Sequence, residues 1–110
     1  MKYYISGPMT GIPNKNEGAF EEATTRLRAA GYEIHNPAEI DLDSVRRFGE
    51  LLLCDGIVVL PGWAKSEGSK VEVALAVATG KQVFAYHQHR PQFLEKMANL
   101  KIVTRPEMLK

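Results

Sequence analysis

The sequence predicts an α/β fold, a three-layer flavodoxin-like or Rossmann-like domain around a four- or five-stranded, mainly parallel sheet. Three observations predict it. Segments rich in strand formers alternate with segments of helical periodicity from residue 2 to residue 86. Gly56 to Leu60 is an unbroken Ile/Val/Leu run, which fits a central parallel strand covered on both faces. Gly-containing loops follow the first and third strands and precede helices, which is where open α/β sheets bind ligands.

Taken in order, Lys-Tyr-Tyr-Ile-Ser at 2–6 is a strand that stops at the turn signal Gly7-Pro8. Asn14 with Glu17 has capping-box spacing, and Phe20, Ala23, Leu27 and Ala30 recur at helical intervals until Gly31 supplies a left-handed stop. Tyr32 to His35 is a short second strand ended by Asn36-Pro37. Asp41 or Asp43 caps a second helix through Val45, Phe48, Leu51 and Leu52, and the apolar third strand follows. A third helix starts at Gly68 or Ser69, runs to Thr79 and is closed by Gly80, and Gln82 to Tyr86 is a fourth strand. Phe93 to Leu100 reads as a fourth helix and Ile102-Val103 as an edge strand. Helical crossovers between parallel strands are right-handed, so the order implies a doubly wound sheet.

The chain of 110 residues is a single domain, 1–110, by length. Fourteen Lys plus Arg against thirteen Asp plus Glu leave a formal charge of +1, so no overall field recruits a nucleic acid polymer or an anionic membrane. Cys54 is the only cysteine, which rules out an internal disulfide and suits a reducing compartment. The first residues lack the apolar stretch of a signal peptide, and no run approaches the roughly 20 residues of a membrane helix, so a cytoplasmic protein is expected.

The chemistry-bearing residues each carry two readings. Glu72 stands among Val71, Val73, Ala74 and Leu75 near the top of the sheet, where lost hydration raises a carboxyl pKa and suits it to act as acid, base or nucleophile. Ser69-Lys-Val-Glu72 also has capping-box spacing, which would make Glu72 a helix cap. The loop Ser6-Gly7-Pro8-Met9-Thr10-Gly11 occupies the place of a phosphate-binding turn, or is a plain connection. Ser66, Gly68 and Ser69 offer hydroxyls and amides to an anion, or only cap the helix. Trp63 either stacks on a base or closes the core edge. His87 and His89 are an incomplete metal set, and Arg90 is a minor phosphate candidate. No metal and no organic cofactor is expected.

Tyr4-Ile-Ser6-Gly7-Pro8-Met9-Thr10-Gly11, Asn36-Pro37-Ala38-Glu39 and the stretch from Cys54-Asp55 to Gly80 together resemble a phage and bacterial domain of uncharacterised function. That domain is similar to the nucleoside 2-deoxyribosyltransferases and the 2′-deoxynucleoside 5′-phosphate N-hydrolases. The resemblance implies cleavage of an N-glycosidic bond, or base transfer, on a 2-deoxyribonucleotide, with Glu72 attacking the anomeric carbon and Tyr4 beside it. It places Ser66 on a 5′-phosphate and implies a homodimer or higher oligomer, for which Phe48, Leu52 and Val77 would form the buried patch. The chain departs from the pattern at Arg47, where those enzymes carry an aspartate for the leaving base and sugar. Asp43, one helical turn upstream, is the substitute acid, and Asp55 is expected to order the start of its strand. A nucleotide-binding module without turnover is the rival reading, and a structural interaction domain without ligand is a third.

Overall fold

A computed structural model describes residues 1–40, 43–89 and 93–97, the side chain of Ser44 apart. Five strands, β1 (Lys2–Ser6), β2 (Glu33–His35), β3 (Gly56–Val59), β4 (Gln82–Tyr86) and β5 (Leu94–Lys96), form one sheet in the order β2-β1-β3-β4-β5. Helices α1 (Glu17–Ala29), α2 (Ser44–Leu53) and α3 (Glu67–Ala78) connect the parallel strands. The first four strands pair in parallel and β5 pairs antiparallel with β4. This is the flavodoxin-like strand order, whose reversal point lies between β1 and β3.

Side chains alternate across a strand, and that alternation builds two cores. Tyr3 and Ile5 of β1 and Val58 of β3 pack with Phe20, Ala23 and Leu27 of α1. Tyr4, Ile57 and Val59 point the other way and pack with Leu51 of α2 and Val73 and Ala76 of α3. Phe20 and Leu27 are fully buried, and each such side chain contributes about 1.5–3 kcal/mol. Ser6, two residues beyond Tyr4, therefore shares the face on which α3 lies.

The helix stops expected at Gly31 and Gly80 are present, with φ of +98° and +77°. Asp55 orders the start of its strand as expected, its carboxylate accepting from the Lys2 amide at the start of the neighbouring β1 at 2.7 Å. Three expectations need correction. The Asn14 to Glu17 capping box does not form: Asn14, Lys15 and Asn16 all have positive φ, so the chain enters α1 through left-handed backbone and Asn16 caps it without a side-chain bond. Helix α3 starts at Glu67, earlier than expected, because the Ser66 hydroxyl accepts from the Ser69 amide at 3.3 Å. Residues 94–96 are a strand and not the start of a helix. Leu94, Glu95 and Lys96 pair with Tyr86, Ala85 and Phe84, and this ladder along an open sheet edge overrides their helix propensity. The edge strand expected at Ile102-Val103 lies outside the described residues.

Candidate active site

The site forms at the carboxyl end of the parallel strands, around a cavity of about 600 Å3. Ligand pockets commonly fall in that size range. Tyr4 to Thr10 line one wall, Arg47 and Phe48 of α2 another, and Lys65 to Ser69 with Glu72 a third. Gly7 is needed for close approach: a Cβ there would sit 2.9 Å from the Leu60 Cβ, so a side chain would push the loop off the end of β3.

Glu72 is on the sheet-facing stripe of α3. Ser69, Val73 and Ala76, spaced around it at helical intervals, are buried at 0%, 1% and 0% exposure. Apolar or small residues belong on such a stripe, and a carboxylate there must find donors. It finds two on β1. The Tyr4 hydroxyl donates to Glu72 Oε2 at 2.5 Å, and the Ser6 hydroxyl donates to Glu72 Oε1 at 2.6 Å. The capping-box role for Glu72 is not realised, because Ser66 caps α3 and Glu72 turns to the sheet.

Burial pushes the Glu72 carboxyl above its usual range, while the hydrogen bonds from Ser6 and Tyr4 and the charge of Arg47 pull it back. Burial, followed by the Glu72 charge, pushes the Tyr4 phenol well above its ordinary value, so Tyr4 keeps its proton and donates it. The Tyr4 ring lies flat on the His35 imidazole, with centroids 5.5 Å apart and planes 14° from parallel. Burial lowers the His35 pKa, which keeps that platform neutral near pH 7. Burial also pushes the Cys54 thiol up to about 11, so it is not a thiolate nucleophile at neutral pH.

The expected pH behaviour follows from these partners. A reaction that needs ionised Glu72 loses rate as pH falls through its raised pKa. Tyr4→Phe removes a donor to the charged form, a bond worth about 1.5–3 kcal/mol, so the acid limb of the pH–rate profile should move up by about 1–2 pH units. A profile unchanged in Tyr4→Phe would mean that the Tyr4 bond does not govern the ionisation.

The cavity gathers Tyr4, Ser6, Gly7, Pro8, Met9, Thr10, Ser66, Gly68, Ser69 and Glu72 of the residues expected from sequence. Gly11, Trp63 and Asp43 are not among its lining. Trp63 packs against the α2 and α3 core instead, which is the core-edge alternative. Asp43 is the exposed N-cap of α2, accepting from the Arg46 amide at 2.9 Å. Asp43→Asn should therefore leave any turnover unchanged and cost at most about 1 kcal/mol, read by thermal unfolding. A large loss of rate with unchanged melting would restore it as the acid. His87 pairs with Glu95 at 2.7 Å, and among the described residues no three His, Cys, Asp or Glu side chains cluster to hold a metal. Arg90 lies outside the described residues.

Sequence reasoning missed Ser6 as a direct partner of Glu72, Lys65 as a cation beside Ser66, Phe48 as a pocket wall and His35 beneath Tyr4. The two-residue step from Tyr4 to Ser6 was the available signal for the first. The signal for His35 was its place at the end of β2, where it pairs in register with Tyr4.

A family model matches residues 1–85, that of the Domain of unknown function (DUF4406). The chain belongs to this family. No curated protein sequence matches it. Among solved structures it is similar to the CMP N-glycosidase BcmB of Clostridium botulinum, at 20% identity and a TM-score of 0.56, over 78% of this chain and 68% of that one. The family member described here thus shares its fold with a nucleotide N-glycosidase. No helix among the described residues is long and apolar enough to cross a membrane.

Proposed function

We propose that the protein cleaves the N-glycosidic bond of a 2-deoxyribonucleoside 5′-monophosphate, with Glu72 as nucleophile. The observation that carries this reading is the buried Glu72 carboxylate, presented to the cavity with the Tyr4 and Ser6 hydroxyls on its two oxygens. An oxocarbenium-like transition state needs a negative charge beside the anomeric carbon, and a carboxylate held off its rotamer alternatives by two donors supplies it there. Attack gives a glycosyl ester on Glu72, which water or a second base resolves. The absence of a 2′-hydroxyl on the substrate favours the reaction, because that group withdraws electrons from the cationic centre.

The phosphate is assigned to the wall made by Ser66, Gly68 and Ser69. The first turn of α3 offers amides and the positive end of its dipole, and Lys65 precedes it. Ser69, in the same turn, lines the cavity, and its buried Oγ has no hydrogen-bond partner among the described residues. Transfer to a second base is the same chemistry with a different acceptor.

Incubation with a panel of deoxynucleoside and ribonucleoside monophosphates, followed by chromatography for free base, tests the reading. Release of base from a deoxynucleotide supports it. Intact nucleotide after long incubation with tight binding supports the second reading, a nucleotide-binding module without turnover. The observation favouring that second reading is the position of Asp43, the expected acid, outside the cavity lining.

We further propose that the working form is a homodimer. Of the expected patch, Phe48 lines the cavity instead, while Leu52 and Val77 are 47% and 36% exposed, and Val45, Leu53 and Val71 on the same two helices are 79%, 74% and 48% exposed. An apolar surface of this kind on α2 and α3 suits a second copy of the chain. Light scattering at tens of micromolar should give the mass of two chains; a monomer would contradict the dimer.

A further inference from the structure

Arg47 lines the cavity from α2, next to Phe48 and across from the Glu72 carboxylate, whose ionisation its charge favours. Its Nε is buried and has no protein acceptor among the described residues. A buried donor of this kind costs folding free energy unless something accepts from it. The Arg47 side chain lines the cavity, so its guanidinium is placed to donate to a ligand there. A guanidinium donates hydrogen bonds as a cation and is not a general acid. The other acidic group on the lining, Glu67, pairs with Lys70 at 2.8 Å and is 89% exposed.

We propose that Arg47 is the leaving-group residue, donating to the carbonyl oxygen of a 2-oxopyrimidine so that the base departs as an anion, and that the site therefore takes pyrimidine nucleotides over purine nucleotides. This rests on the glycosidase reading above. When the C1′–N1 bond of a pyrimidine nucleotide breaks, the electron pair stays on the base and spreads from N1 to the adjacent O2. A planar guanidinium is suited to receive that charge. Meanwhile a bond forms between C1′ and a Glu72 oxygen. Water then attacks C1′, Glu72 leaves as carboxylate, and the proton lost by that water ends on the base anion. The net reaction consumes one water and yields base and sugar phosphate. A purine has no exocyclic oxygen beside its N9 and leaves readily only when a ring nitrogen is protonated, for which Arg47 offers no proton. Phe48, adjacent on the same helix, gives the base an apolar wall.

The test compares wild type with Arg47→Met and Arg47→Lys on 2′-deoxyuridine 5′-monophosphates bearing hydrogen, methyl or fluorine at C5, and on 2′-deoxyadenosine 5′-monophosphate. Base release is read by chromatography. Wild type should prefer the pyrimidines. Arg47→Met should lose about 100-fold or more on the methyl and unsubstituted substrates, clearly less on the fluorinated one, and little on the purine. Arg47→Lys, which keeps charge and stem and so guards against misfolding, should fall between the two. The acid limb of the pH profile also moves if Arg47 acts only on Glu72, but that shift is the same for every base. An equal loss across all four substrates would overturn the Arg47 assignment and leave the glycosidase reading standing. Base release from none of them by wild type would overturn both.

Discussion

Glu72→Gln is expected to abolish base release while leaving the fold and nucleotide binding intact. Glutamine keeps the shape: its carbonyl oxygen can accept from one of the two hydroxyls, Tyr4 or Ser6, that donate to the carboxylate at 2.5 and 2.6 Å, and its NH2 can donate to the oxygen of the other once that hydroxyl turns. What it loses is the charge and the nucleophile. Losing a covalent nucleophile costs on the order of 10^4 to 10^6-fold in rate. The same variant should change the pH dependence of stability, with a definite sign. Because burial raises the Glu72 pKa in the folded chain, the folded state binds this proton more tightly than the unfolded state. Stability from this group is present below the unfolded value of about 4.3 and is lost as pH rises through the raised folded value. Glu72→Gln has no such proton, so its melting temperature should lack that decline. Thermal unfolding across pH 4 to 8 and turnover at saturating substrate check both halves. Wild-type turnover in the variant would end the covalent account.

The second large effect concerns the phosphate. Ser66→Ala should weaken binding of a deoxynucleoside monophosphate by about 10 to 100-fold, the value of a hydrogen bond to a charged group, and leave the unphosphorylated nucleoside almost unaffected. Ser66 also caps α3, so the variant should melt lower by the equivalent of about 1 kcal/mol whichever ligand is tested. Calorimetric titration of both ligands separates the two roles. Equal losses for nucleotide and nucleoside would reduce Ser66 to a cap and withdraw the phosphate preference.

Much of this was legible in the sequence because two periodicities carry it. The alternation of β1 puts Tyr4 and Ser6 on one face, and the helical spacing of α3 puts Glu72 on the stripe that faces them. Those periodicities bring the three residues to one place, although the bond from Ser6 to Glu72 was not read from them. Less legible was anything decided by competition between neighbours. Ser66 and Ser69 each sit three residues before a Glu or an amide that could complete a cap, and only the packed structure shows that Ser66 wins and frees Glu72. Asp43 and Arg47 are one turn apart on the same helix, yet only Arg47 reaches the cavity, because Asp43 is consumed at the exposed helix start. The strand at 94–96 was hidden by helix-forming residues whose conformation is set by pairing with a distant segment, Phe84 to Tyr86. Trp63 was ambiguous for a simpler reason: a loop aromatic reads alike whether it meets a ligand or the core, and here it meets the core.

The central claim, a double displacement through Glu72, is tested most directly by the configuration at C1′ when the reaction is run with a 2′-deoxypyrimidine 5′-monophosphate in water containing methanol. Two successive inversions give net retention. Proton NMR of the first product formed should show free base together with the methyl glycoside in the β configuration of the starting nucleotide. An α-methyl glycoside would mean a single direct displacement and would contradict Glu72 as nucleophile, and no base released from any nucleotide would contradict the glycosidase itself.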